Sequence, residues 1–251
     1  MMCDMPRITL ALVLGLLACR LPGGGDAAAV SAPARAPVRA EVQTPESQAA
    51  FTPASALERL ESGNARFHAN EMAGRDWPAS VQATAGGQFP FASVLACMDS
   101  RAPVDIVFDQ GLRDVFGVRV AGNVVNPDEL GSLEYSVKVG AKLIVVLGHT
   151  DCGAVKGAID DVKLGNLTGL LAKIHPAVLA AGCHDSKDAA CVNKVAELNV
   201  RNSMEEIRKQ SPVLAGYLDS GKVRLVGGMY DVATGKVRFL DDTAPREQAA
   251  R

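Results

Sequence analysis

Residues 142–149 read Lys-Leu-Ile-Val-Val-Leu-Gly-His, and residues 150–155 continue Thr-Asp-Cys-Gly-Ala-Val. The apolar run is β-rich, does not alternate with polar residues and is short for a helix, so it reads as a strand buried on both faces. Phe91 to Cys97 (FASVLAC) and Val115 to Val120 (VFGVRV) have the same character, and each ends in polar or Gly-rich residues. Helical stretches separate the three. Strands alternating with helices predict an α/β fold, a central mostly parallel sheet flanked by helices. The expected helices are Glu129 to Val139, Gly153 to Asp161, Thr168 to Ala181 and Ala189 to Gln210, with Pro212 helping to end the last. Val223 to Tyr230 and Lys236 to Leu240 read as a C-terminal antiparallel hairpin that adds an edge strand. Upstream, Pro53 to Asn70 carries Leu57, Leu60 and Phe67 at spacings of three and seven. That pattern predicts an amphipathic N-terminal helical arm that must pack on something, a neighbouring subunit being one candidate.

The chain has 251 residues, 48% of them hydrophobic and 4% aromatic, with a formal charge of -2. No basic or acidic run stands out, which argues against a nucleic-acid groove or a polybasic membrane patch and points to a small partner. The scarcity of aromatics favours closely packed helices on a sheet over a base-stacking surface. Ile8 to Ala18 is an apolar stretch behind Arg7, too short for the ~20 residues of a membrane span and suited to the core of a secretory signal. Residues 1–19 are therefore expected to be a signal peptide, with Met5 as an alternative start. Two cleavage readings stay open. Leu16-Leu17-Ala18-Cys19 resembles a lipoprotein box with Cys19 as the lipidated residue, and Ala27-Ala28-Ala29 resembles an ordinary small-residue site. Residues 20–52, rich in Ala, Pro, Gly, Ser and Gln, read as a flexible tether. Residues 53–245 form the expected folded domain, a size of roughly 190 to 200 residues that one core commonly occupies, and 246–251 a tail. The expected location is exported, periplasmic, with or without a lipid anchor.

Ligands of open α/β sheets bind beyond the carboxyl ends of the strands. Cys97-Met98-Asp99-Ser100-Arg101 follows the first strand and His149-Thr150-Asp151-Cys152-Gly153 the third. Two thiols and one imidazole at those places match a zinc site with three protein ligands and an open fourth position. A spacing of three lets His149 and Cys152 reach one ion across a strand-to-helix turn. A helix starting there would favour thiolate at Cys152. The blander alternatives are two buried apolar cysteines or, in an oxidising compartment, a disulfide between them. Cysteine arithmetic favours the metal: Cys3 lies in the signal, Cys19 has a lipid-anchor role, and Cys183 can pair with Cys191 unless both are free surface thiols. Asp99 stands two residues from a ligand, where an unpaired carboxylate would close the open position. Arg101 offers the competing bidentate partner, though such a pair can also be an ordinary loop salt bridge.

The segments A-C-M-D-S-R and G-H-T-D-C-G-A-V resemble the two zinc-binding signatures of β-class carbonic anhydrases. The resemblance extends over Phe108-Asp109-Gln110-Gly111, Phe116 to Asn123 and Ser132-Leu133-Glu134-Tyr135, and covers roughly Leu57 to Leu240. It implies one Zn2+ per subunit on Cys97, His149 and Cys152, and reversible hydration of carbon dioxide to bicarbonate through a zinc-bound hydroxide. Asp99 and Arg101 become the dyad that orients the hydroxide or, in a closed state, releases Asp99 onto the metal. The Gln110 amide and the Gly153 N–H are the implied substrate contacts, and a homodimer or homotetramer is the implied assembly. His68, His175 and His184 lie outside the matched segments and read as surface or packing histidines, leaving no proton shuttle assigned. Two rivals stand beside this. One is a related zinc hydrolase of carbon disulfide or carbonyl sulfide; the other is a non-catalytic exported zinc-binding lipoprotein with Asp99 fixed in the fourth metal position.

Overall fold

Strand register explains why distant residues meet at one end of this molecule. The computed structural model describes residues 42–240, so the expected signal, Cys19 and the tail lie outside the described residues. In chain order the elements are α1 (Pro45–Ala50), α2 (Pro53–His68), α3 (Trp77–Thr84), β1 (Ala92–Ala96), α4 (Val104–Val107) and β2 (Val115–Arg119). A 3-10 turn (Ala121–Asn123), α5 (Pro127–Lys138), β3 (Leu143–His149), α6 (Gly153–Ile159), α7 (Gly165–Ala172) and α8 (His175–Ala181) follow. The chain then forms α9 (Ala189–Gln210), α10 (Pro212–Asp219), β4 (Arg224–Tyr230) and β5 (Val237–Leu240). The sheet order is β2-β1-β3-β4-β5. Strands β1 to β4 run parallel, and β5 returns antiparallel to β4 as the edge hairpin. The fold is thus the α/β architecture expected.

Every residue of β3 is buried, because apolar layers cover both faces of the sheet. Leu95, Ile144 and Val146 pack on the α5 to α10 side, while Val94, Ala96, Val145 and Leu147 pack against α2 and α4. After β1 the chain turns to β2 on one side and later crosses to β3 on the other, which makes the β1–β3 carboxyl ends the switch point where such sheets bind ligands. Ala96 pairs with Leu147. Cys97 is the next residue on one strand and His149 lies two further on the other, so backbone pairing alone delivers both to one place.

α9 closes over this end, its Val192, Val195, Ala196, Val200, Met204 and Ile207 buried at helical spacing. The close approach requires glycine at 148, where a Cβ would lie 2.6 Å from Val200 Cγ2.

Several expectations need correcting. The tether was expected to reach residue 52, but Thr44 caps α1 and buried Gln48 donates to the Pro90 and Val139 carbonyls, so the folded unit starts earlier. The N-terminal helix packs on its own chain, with Ala56, Leu57 and Leu60 in the core around Phe91 and Phe108. Thr168 to Ala181 is two helices, α7 and α8, divided ahead of Pro176, whose missing N–H suits a first turn. Pro212 likewise opens α10 behind the Ser211 cap as well as following α9. Among the described residues no helix is long and apolar enough to cross a membrane.

Candidate metal centre

The ligand atoms of Cys97, His149 and Cys152 lie within 4.8 Å of one another, and all three residues are buried. Cys97 Sγ and Cys152 Sγ are 3.9 Å apart and unbonded. Two zinc–sulfur bonds of ~2.3 Å at a tetrahedral angle place sulfurs about 3.8 Å apart, so the spacing suits one shared ion. His149 Nδ1 lies 2.8 Å from the Thr150 carbonyl oxygen. A carbonyl only accepts, so Nδ1 carries the hydrogen and Nε2 the free lone pair of the neutral ring. That Nε2 is buried with no hydrogen-bond partner. An orphaned buried acceptor costs about 1–3 kcal/mol, and a cation bonded to it removes the penalty. Donor types, spacing and orphaned nitrogen all fit Zn2+.

Backbone groups prepare both sulfurs for negative charge. The Gly122 N–H donates to Cys97 Sγ at 3.3 Å, from a turn where Gly122 has φ 70 and a Cβ would lie 2.6 Å from Ile174 Cδ1. α9 holds that turn: Asn199 donates to the Gly122 carbonyl and Ser203 to the Asn123 carbonyl. Cys152 is the N-cap of α6. The two thiols share a proton: a hydrogen bond from Cys152 pushes the Cys97 thiol well down, and the Cys97 sulfur beside it, with burial, pushes Cys152 up. Burial works to lower the His149 pKa, but the negative charge of the nearby Cys97 sulfur, with the Thr150 carbonyl and Asp99, outweighs it and raises the value. The Cys97 and His149 shifts express one demand for positive charge, which a divalent cation meets.

Asp99 stands at the open side, its Oδ2 3.8 Å from His149 Nε2. It is held by Arg101, whose Nε donates to Oδ1 at 3.0 Å and Nη2 to Oδ2 at 2.8 Å. These bonds keep the carboxyl well below the usual carboxylate range against the opposing effect of partial burial. Arg119 pins the same turn by donating to the carbonyls of Cys97 and Asp99. Gly153 is exposed, and nothing lies within 4 Å of where its Cβ would be, which leaves space beside its N–H.

Gln110 sits elsewhere in the hydrogen-bond map. Its amide donates to the Phe108 carbonyl and its oxygen accepts from Arg59 at 3.5 Å, while neither bonds the cluster. The neighbouring Asp109 is buried between Arg66 and Arg75. His175 faces Asp161. A cavity of about 920 Å3 between α9 and the β4–β5 hairpin touches this region at Thr150 and Asn193, but none of the three ligands lines it. Cys183 and Cys191 are bonded to each other, joining the end of α8 to the first turn of α9. Sequence reasoning missed the supporting roles of Gly122, Arg119, Asp151 and Asn193. For Gly122 and Arg119 the readable signal was the V-R-V-A-G-N segment, whose Gly-Asn pair marks a tight turn.

A largely parallel α/β sheet with a buried Cys2His set at its switch point defines a protein with a candidate metal centre of three side-chain ligands. The carbonic anhydrase family model matches residues 92–237. Carbonic anhydrase 2 of Mycobacterium tuberculosis is 36% identical over 75% of this chain and 93% of that protein. The carbonic anhydrase of Mycolicibacterium smegmatis is 34% identical over 74% and 93%. The crystal structure of an Aspergillus fumigatus β-carbonic anhydrase superposes with a TM-score of 0.61 at 27% identity, over 77% of this chain and 93% of that one. The chain belongs to the carbonic anhydrase family, in its β class, and is an enzyme of the lyase type.

Proposed function

We propose that this enzyme interconverts carbon dioxide and bicarbonate with one zinc ion held by Cys97, His149 and Cys152. The observation that carries the reading is the orphaned Nε2 of His149 facing two unbonded thiols, with Asp99 turned into the Arg101 fork beside them. Zinc, when bound, supplies a Lewis acid that lowers the pKa of a coordinated water to about 7.

The chain's own residues do the rest. Asp99 stays ionised in the Arg101 fork, and its Oδ2, 3.8 Å from His149 Nε2, is placed to take a hydrogen bond from the nucleophile and aim its lone pair at carbon. Arg101 prevents the carboxylate from closing the open position itself. The Gly153 N–H, with free space around it, is assigned to the negative oxygens that develop as bicarbonate forms, whereas Gln110, whose side chain is engaged by Phe108 and Arg59 away from the cluster, receives no substrate contact. The Thr150 carbonyl fixes the His149 ring.

The same proposal places the mature enzyme outside the cytoplasm, as a periplasmic protein anchored through Cys19 or released by cleavage near Ala29. The Cys183–Cys191 disulfide supports an oxidising compartment. A homo-oligomer is proposed because Ile106, Leu112 and Tyr135 are exposed, and because two Sordaria macrospora β-carbonic anhydrases of similar fold are described as tetrameric. Zinc analysis paired with stopped-flow carbon dioxide hydration on the purified protein tests the core. One zinc per chain with rapid hydration supports it; a zinc-loaded protein without hydration across the pH range refutes it.

A further inference from the structure

Arg101 has a second carboxylate partner that comes from the other half of the metal site. Asp99 and Arg101 belong to one turn after β1 and occupy one edge of the guanidinium. On the remaining edge Nη1 donates to Asp151 Oδ2 at 3.2 Å, and Nη2 reaches the Asp151 carbonyl oxygen at 3.3 Å. Asp151 lies between His149 and Cys152, so these contacts tie the dyad to the turn that carries two of the three ligands. The turn is itself shaped for the task. Asp151 adopts φ 58, a left-handed conformation that Asp tolerates better than most residues, and it brings both the carboxylate and the carbonyl of one residue to Arg101. Asn193 of α9 accepts the Asp151 N–H at 3.1 Å, and Lys156 pairs with the Asp151 carboxylate from α6.

Asp99 Oδ2 lies 3.8 Å from His149 Nε2, one of the atoms that would hold the metal, so a carboxylate released from the Arg101 fork would be free to take the fourth position. The Arg101 side chain is 44% exposed, so without a further tether it is free to swing into water and release the carboxylate. We propose that Asp151 is a positioning residue: it anchors the outer edge of Arg101, and thereby keeps Asp99 in the fork and the fourth metal position open to small ligands. The inference deepens the proposed function and rests on the same metal site. Exposed ion pairs contribute little to folding, so the effect falls on the dyad and not on thermal stability.

The test uses the full chain loaded with cobalt(II), whose visible absorption reports the fourth ligand, titrated with azide. Asp151→Gly preserves the backbone conformation and removes the carboxylate. It should weaken azide binding about tenfold, a typical size for loss of an outer-shell partner, while cobalt content and Tm stay at wild-type values. Asp151→Asn keeps an acceptor at the same reach and should restore most of the affinity. In an Asp99→Ala background, Asp151→Gly should change nothing, because no carboxylate remains to compete. Should Asp151→Gly not fold, Asn193→Ala, which frees the Asp151 backbone, should shift azide affinity in the same direction by a smaller factor. Unchanged azide affinity in the folded variant overturns the proposal, as does loss of cobalt, which would assign Asp151 to the ligand turn alone. Absence of carbon dioxide hydration in a wild type whose azide affinity still depends on Asp151 would refute the proposed reaction and leave the positioning role standing.

Discussion

Among the described residues two cysteine pairs lie close together, and they resolve differently. Cys183 and Cys191 are joined at the seam between α8 and α9, Cys183 buried in the apolar cluster there and Cys191 packed against it, with no imidazole among their described contacts. Cys97 and Cys152 stay apart at 3.9 Å, deep under α9, each beside backbone N–H groups and both facing His149. Proximity therefore does not decide the fate of a thiol pair. The surroundings decide it: a loop seam gains from a crosslink, whereas a buried pocket with an orphaned nitrogen and thiolate-favouring donors gains from a cation.

Breaking the metal pair should have the largest effect. Cys152→Ser removes one ligand, and zinc content should fall below one per chain with hydration reduced about a thousandfold or more, read by elemental analysis and stopped flow. Asp99→Ala comes next. It spares all three ligands, so zinc should remain while hydration falls about a hundredfold, in the range lost with one positioned proton-handling or charge-stabilising group. Full zinc-dependent activity in either variant would undo the contrast between the pairs.

The disulfide should matter for stability and not for chemistry. Its separation of 8 residues corresponds, by loop entropy, to about 2.5 kcal/mol. Replacing both Cys183 and Cys191 by Ala should lower Tm by roughly 5–10 °C in a domain of this size while leaving zinc content at one per chain. Loss of zinc there would show that the two pairs are coupled through α9. The smallest effect concerns pH. The disulfide does not titrate, but the three ligands must be deprotonated to hold a cation, so zinc should dissociate on acidification before the fold is lost. Burial opposes the ionised form of Asp109, yet hydrogen bonds from Arg75 and Arg66 lower its pKa in the folded state. Its contribution is therefore complete above the ordinary carboxyl value of about 3.9 and lost only as pH falls through the depressed folded value. Between about pH 4 and 6 the chain should be zinc-poor and still folded by circular dichroism.

What could be read from the sequence follows the same division. Strand ends are legible because a buried parallel strand is a continuous apolar run and its polar terminator is conspicuous, as at His149. The disulfide was legible as two cysteines eight residues apart in one loop, with a pair of free surface thiols left open as the alternative. Packing by polar residues left no such trace. α1 docks through Gln48, which hydrophobic periodicity ignores. α3 buries no residue at all, so nothing in its pattern marks a face, and only Asp76 and Pro78 hint at a helix start. Proline told half of the story at residue 212: α9 ends ahead of it as expected, but the same residue opens α10. Asp151 was visible within its motif, but its partnership with Arg101 spans 50 residues and depends on a left-handed backbone that spacing does not disclose.

X-ray absorption at the zinc edge, on protein purified without reductant, probes the central claim most directly. Two sulfur scatterers near 2.3 Å with nitrogen or oxygen completing four ligands near 2.0–2.1 Å is the expected result. A zinc shell without sulfur, or a Cys97–Cys152 disulfide in the same sample, would contradict it.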